Sequence, residues 1–324
     1  MRIVAVEEHF ITPAFAAGPG KATVERFRTA RAGGDMVVNK LSEVGDARIA
    51  EMDAAGIDVQ VLSLNSPGVE QSEPDEAVAC ARDANDFLAE AVKRHPARFA
   101  GFASLPIPAP DKAADELDRC IRKLGFKGAN INGHCRGRYL DDPFFTPILE
   151  RAEALDVPIY LHPTVPPKAV VDAHYSGFSP AVSGVFASGG WGWHIETAVH
   201  VLRMVLGGVF DRHPKLQVVI GHLGEGIPFM LPRLNRTLPT QMTKLERSVA
   251  DYLRQNVHYT FGGFNFMPTF LNLLLEVGVD RIMFSVDYPY CSMQESRTFL
   301  QHLPVSDIDR ERIANGNADR LLRL

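Results

Sequence analysis

The chain has 324 residues, a formal net charge of −5, 46% hydrophobic residues and 23% charged residues, a balance that suits a globular fold with a large core. The acidic balance offers no basic footprint for nucleic acid, and no apolar run reaches the roughly 18 residues of a membrane helix. No charged and apolar leader precedes the first strand-like run, Arg2–Val6, and the four cysteines Cys80, Cys120, Cys135 and Cys291 make no CxxC pair. The expectation is a reduced, cytoplasmic protein.

Short apolar, β-rich runs alternate with helical patterns along the chain. Strands are predicted at 2–6, 58–63, 98–103, 128–132, 157–162, 217–222, 256–261 and 281–287. Near-continuous apolar strands separated by helices predict a parallel sheet covered by helices. Helical periodicity covers 45–55, where Gly56 supplies a C-terminal stop. It recurs at 75–94, 111–124, 143–155, 195–208, 268–277 and 307–314. Eight such units predict an α/β fold of the closed (β/α)8 barrel type, read as one domain over 1–324. The alternative, an open doubly wound sheet, calls for a glycine-rich phosphate turn after strand one. Glu7-Glu8-His9-Phe10 stands there instead. Two long loops, 10–44 and 163–193, follow predicted strands one and five. They are expected to border the mouth at the C-terminal ends of the strands.

Metal-capable residues stand at these strand ends. Strand one ends in Glu7-Glu8-His9, strand five in His162, strand six in Gly221-His222 and strand eight in Asp287. Alternate residues of a strand share a face, so Glu7 and His9 point together and Glu8 points away. Two imidazoles and two carboxylates from such a group make a mixed nitrogen and oxygen set suited to Zn²⁺ or Mn²⁺, with Mg²⁺ an alternative. A single histidine at a strand end is more often structural; convergence of several strand ends on one axis is what favours a site. Strand four reads Gly-Ala-Asn130-Ile-Asn132, with Lys127 at its beginning. No lysine stands where two-metal barrel hydrolases place a bridging one, so one ion is expected. Of the other histidines, His95, His174, His200, His213 and His302 carry no site signal. His258 lies mid-strand, as a core or outward residue, and the orientations of His134 and His194 stay open.

Several stretches resemble the amidohydrolase superfamily, in the branch of aminocarboxymuconate-semialdehyde decarboxylase and the γ-resorcylate, 2,3-dihydroxybenzoate and 5-carboxyvanillate decarboxylases. They include VEEHF at 6–10, DARIAEMDAAGIDVQVLS at 46–63, DVPIYLHP at 156–163, GVFDRHPKLQVVIGHLGEG at 208–226 and FSVDYPY at 284–290. The chain opens on Glu-x-His where the superfamily commonly has His-x-His, which is similar to the benzoate-type enzymes. The resemblance implies Glu7, His9, His162 and Asp287 as ligands of one divalent metal ion, with no organic cofactor. It implies His222 and Glu225 as a paired acid–base unit, and Arg233 as a residue facing substrate.

The implied reaction is non-oxidative decarboxylation of a small ortho-hydroxybenzoate, the partner being a small aromatic acid. Asp287 is the first choice of proton donor and His222 the second, with Glu225 orienting it. Phe10, Trp191, Trp193, Tyr288 and Tyr290 are candidate ring contacts, although most aromatics near a mouth are ordinary packing. A homodimer or homotetramer is implied. Two alternatives stand beside this reading: a metal-dependent hydrolase of a lactone, ester or amide, and a barrel that only binds a ligand.

Overall fold

The computed structural model describes residues 1–30 and 33–324. Nine strand segments run in chain order: β1 (Val4–Phe10), β2 (Val59–Leu64), β3 (Phe99–Gly101), β4 (Ala103–Ser104), β5 (Ala129–Asn132), β6 (Ile159–His162), β7 (Val218–Ile220), β8 (Val257–Thr260) and β9 (Ile282–Met283). All pair in parallel, in the orders β1-β2-β3 and β4-β5-β6-β7-β8-β9. Predicted strand three is divided by Phe102 alone, whose amide still donates to Leu62 across β2. The seam between β9 and β1 closes through Val6 N–H to Phe284 O and His9 N–H to Tyr288 O. The result is the (β/α)8 barrel, with eight staves and helices outside.

Two apolar layers result from the strand alternation. Val4, Val6, Val61, Phe102, Tyr160, Val219 and Met283 fill the barrel interior. Ala5, Leu62, Ile131, Leu161, Ile220, Tyr259 and Phe284 face the helical shell. The helix Asp46–Ala55 ends at Gly56 in the left-handed conformation (φ 68°), as its sequence predicts.

The predicted loops carry short helices of their own. Pro13–Ala17, Lys21–Ala30 and Gly34–Ser42 lie in the first, and Lys168–His174 and Pro180–Ala187 in the second. Residues 31 and 32 of the first loop lie outside the described residues. Helices Ile227–Thr237, Val249–Gln255 and Met293–Gln301 were not expected from periodicity. Among the described residues, no helix is long and apolar enough to cross a membrane.

Candidate metal centre and active site

Glu7 and His9 stand at the top of β1, but simple alternation would turn them the wrong way. Val4 and Val6 face the barrel interior, so an unbroken strand would send Glu8 inward and Glu7 outward. The register of β1 on β2 slips by one residue between Ala5 and Glu8. This bulge reverses the parity and turns Glu7 and His9 to the axis. Glu8 and Phe10 are turned outward. The Glu8 carboxylate accepts from the Val286 and Tyr288 amides at 2.8 and 3.2 Å, lacing the end of β1 to the segment that bears Asp287. Burial pushes the Glu8 carboxyl up to about 8 against these bonds.

Around the axis, β6 supplies His162 and the segment after β9 supplies Asp287. One ligand atom from each of Glu7, His9, His162 and Asp287 lies within 4.8 Å of the others. His9 Nε2 is 3.1 Å from Asp287 Oδ1, and His162 Nε2 is 3.8 Å from Glu7 Oε1. Glu7 Oε2 accepts from Thr260 Oγ1 at 2.7 Å. Glu7 Oε1 is buried without a hydrogen-bond partner. A carboxylate oxygen left bare in this setting fits a bound cation. Two glycines make room for the carboxylate: a methyl at Gly221 would lie 2.5 Å from Glu7 Oε1, and one at Gly262 2.8 Å from Oε2.

The imidazoles are preset as neutral ligands. Burial lowers His9 to about 4. Burial, with repulsion from His9, lowers His162 to about 3. His162 Nδ1 lies 3.1 Å from Asn132 Oδ1, an acceptor, so Nδ1–H donates and Nε2 keeps its lone pair. Asn132 is held in turn by Glu70, whose carboxylate accepts from the Asn132 backbone amide at 2.6 Å. His9 Nδ1 meets the Ser63 hydroxyl at 3.3 Å. Burial would raise Glu7, yet the positive charge of His222, the largest opposing influence, holds it below the ordinary carboxylate range. Burial and the Glu7 carboxylate push Asp287 well above it. Asp287 has a 15% exposed side chain, against 1% for Glu7 and 0% for His9, so it faces the mouth.

A second cluster abuts the first. After β7 the backbone turns through left-handed conformations at His222, Leu223 and Glu225 (φ 53°, 53° and 56°), and Asp287 is also left-handed (φ 67°). Each such non-glycine residue costs about 1–2 kcal/mol. The turn brings Glu225 Oε1 within 2.7 Å of His222 Nδ1 and its Oε2 within 2.6 Å of His194 Nδ1. His222 Nε2 is left facing Glu7 Oε1 at 3.8 Å and Asp287 Oδ2 at 4.0 Å. Burial disfavours its charge, but Glu225 and Glu7 outweigh burial and raise His222 to about 10. Burial likewise opposes ionisation of Glu225, which the two histidines nevertheless hold down at about 2.

The structure departs from the expected ring contacts. Phe10 is 1% exposed and stacks on Phe87 of the helical shell, 6.0 Å between centroids. It shares the outward parity of Glu8. Tyr288 is 2% exposed, with the Arg48 guanidinium 4.3 Å from its ring centroid, so it packs behind the site. Trp191 is 52% exposed at the start of helix Gly192–Leu206. Arg233 is exposed on helix Ile227–Thr237, and no hydrogen bond or ion pair joins its side chain to the cluster.

Other rings border the site. Phe264 lies 5.1 Å from His194 and 5.2 Å from His222, and Tyr290 lies 5.9 Å from His9, centroid to centroid. Trp193 donates to His194 Nε2. His134 instead serves a turn, accepting from the Gly137 amide. Phe264 escaped the sequence because loop side chains have no periodicity to aim them, and the role of His194 escaped it because helix Gly192–Leu206 begins ahead of the predicted helix at 195–208. Asn132 did carry a signal: it ends β5 in register with His162.

Comparison with known proteins agrees with this architecture. The γ-resorcylate decarboxylase of Rhizobium radiobacter is 38% identical over 99% of this chain and 98% of its own. The 5-carboxyvanillate decarboxylase of Novosphingobium aromaticivorans, solved with manganese and 3-methoxy-4-hydroxy-5-nitrobenzoic acid, gives a TM-score of 0.92 at 30% identity, covering 100% of this chain and 97% of that one. Dihydroxybenzoic acid decarboxylase from a Polaromonas species, with manganese and the inhibitor 2-nitroresorcinol, gives 0.88 at 35%, with the same coverage. The family model described as amidohydrolase matches residues 38–324, and with this extent of agreement the chain belongs to the amidohydrolase family.

Proposed function

We propose that this protein is a metal-dependent, non-oxidative decarboxylase of a small ortho-hydroxylated aromatic acid. The observation that carries the reading is the meeting, at one barrel rim, of a four-ligand cation cradle and a separate His222–Glu225–His194 unit. The decarboxylases it resembles align over nearly the whole chain, and two neighbours hold manganese beside an aromatic ligand. We assign Glu7, His9, His162 and Asp287 as ligands of one divalent cation and no organic cofactor.

A divalent cation held there supplies Lewis-acid stabilisation and orients the acid by its oxygens. The chain's own groups manage the proton. An ionised ortho hydroxyl pushes electron density onto the ring carbon that bears the carboxylate. Asp287, the cradle member most exposed to the mouth, stands where it can deliver a proton to that carbon. His222 is the second candidate, its ring oriented by Glu225. Once the carbon is protonated, the C–C bond breaks, its electrons return to the ring and CO2 leaves. Phe264 and Tyr290 offer apolar edges to a flat substrate.

The test is a screen of ortho-hydroxybenzoates, 2,6-dihydroxybenzoate among them, with manganese-loaded protein. The aromatic absorbance should change with stoichiometric CO2 release. Release of acid from lactones or esters, with no CO2 from any hydroxybenzoate, would replace the reading with a hydrolase. Asp287→Asn should lower turnover by about 10²–10⁴-fold, the usual worth of a positioned acid. Near-normal turnover would remove Asp287 as the donor.

A homodimer or homotetramer is part of the proposal, supported by exposed Phe178, Val182, Val185, Trp191, Phe229 and Phe266. A monomer by light scattering would refute it. A reducing, cytoplasmic setting suits the four unpaired cysteines, and thiol titration of the unfolded protein should count all four.

A further inference from the structure

A cavity of about 690 Å³ opens at the opposite end of the barrel. It lies where β6, β7, β8 and β9 begin, lined by Pro158, Gln217, His258 and Arg281, with Arg320 from the last helix, Asn317–Leu322. Conserving stability is the usual business of that face, and here its charge is unbalanced. Lys215, Arg281, Arg312, Arg320 and Arg323 line the cavity against only Asp156 and Asp280, in a chain whose net charge is −5. Arg323 pairs with Asp156, and Arg312 lies 3.8 Å from Asp280 and 3.1 Å from Asp309. Among the described residues, no carboxylate pairs with Lys215, Arg281 or Arg320.

The inner wall also fixes one of these cations in place. The half-buried Arg281 spends one Nη1 on Gln217 Oε1 at 3.1 Å and on His258 Nε2 at 2.9 Å. A cluster of uncompensated cations costs stability. A bound anion relieves that cost.

We propose that this cavity binds a small polyanion, a phosphate ester or a di- or tricarboxylate, at a site separate from the metal centre. Guanidinium forks match phosphate and carboxylate oxygens equally well, and the volume exceeds what a lone phosphate needs and suits a small metabolite. The proposal does not depend on which acid the metal centre decarboxylates.

The experiment is calorimetric titration of the manganese-loaded protein at about 0.15 M ionic strength. The probes are inorganic phosphate, fructose 1,6-bisphosphate and tricarballylate, the last a tricarboxylate without a chelating hydroxyl. Saturable binding of at least one probe is expected, and which one binds separates the phosphate from the carboxylate source. Affinity should fall by about tenfold or more in Arg281→Gln/Arg320→Gln, while kcat/KM toward the aromatic acid stays unchanged. Arg320→Gln alone, on the exposed helix surface, serves if the double variant misfolds, and should show a smaller loss. The proposal is overturned if no probe binds saturably. It is overturned equally if the variants bind like the wild type, or if 2-nitroresorcinol at the metal centre competes the probe away.

Discussion

Gly221→Ala tests the metal assignment without touching a ligand. Gly221 has φ −84° and ψ −168°, a conformation alanine adopts freely, so the substitution adds no backbone strain. Its methyl carbon would lie 2.5 Å from Glu7 Oε1, 2.8 Å from Oε2 and 3.0 Å from the carboxyl carbon. Carbon–oxygen contacts settle at roughly 3.3 Å, so the carboxylate must retreat by roughly 0.8 Å, the difference from that contact. Its other side is already held by Thr260 Oγ1 at 2.7 Å. Metal sites keep ligand distances to within about 0.2 Å, so Glu7 would no longer reach the ion properly. The loss should match or exceed that of an outer-shell partner, about 10- to 100-fold in affinity, or about 1.4–2.7 kcal/mol. Elemental analysis and titration in chelator-buffered manganese measure it directly. Gly226→Ala is the control, since a methyl there meets nothing within 4 Å although φ is +82°. That variant should lose some stability and keep its metal. Full metal content and affinity in Gly221→Ala would refute the placement of Glu7 as a ligand.

Other consequences are as direct. Asn132→Ala removes the acceptor that fixes the His162 ring, so manganese affinity in the same titration should fall by about 10- to 100-fold. Chelator treatment should abolish turnover, and added manganese should restore it; a chelated protein with undiminished turnover would contradict the cradle. Phe10→Ala should cost about 3–5 kcal/mol in denaturant unfolding with KM unchanged at saturating metal, whereas Phe264→Ala should raise KM with little loss of stability. Glu225→Gln keeps a side chain of the same size beside His222 and His194 but removes the charge that supports them. It should lower kcat by about tenfold or more and leave metal content intact, as inductively coupled plasma analysis would report.

The local chemistry of the sequence reaches far in this protein. Apolar runs of strand length, separated by helical periods, are sufficient for a parallel sheet with both faces covered by helices, and eight such units without a glycine-rich turn after strand one favour the closed barrel over the open doubly wound sheet. Residue type at the strand ends nominates Glu7, His9, His162, His222 and Asp287, and the family resemblance selects from them Glu7, His9, His162 and Asp287, which the structure gathers within reach of one ion. Orientation is another matter. Which face of β1 turns inward depends on a one-residue slip against β2, a property of two strands far apart in sequence. Phe10 and Tyr288 were misplaced for the same reason: adjacency to a ligand in the chain says nothing about adjacency in space when alternate residues face opposite layers. A loop hid Phe264, because no period aims a loop side chain, and His194 stayed undecided because it lies in the first turn of helix Gly192–Leu206, ahead of the periodic stretch that begins at 195. Composition and pattern determined the fold and the kinds of group at its rim. Only tertiary contacts, which set register and loop position, decided which of those groups meet.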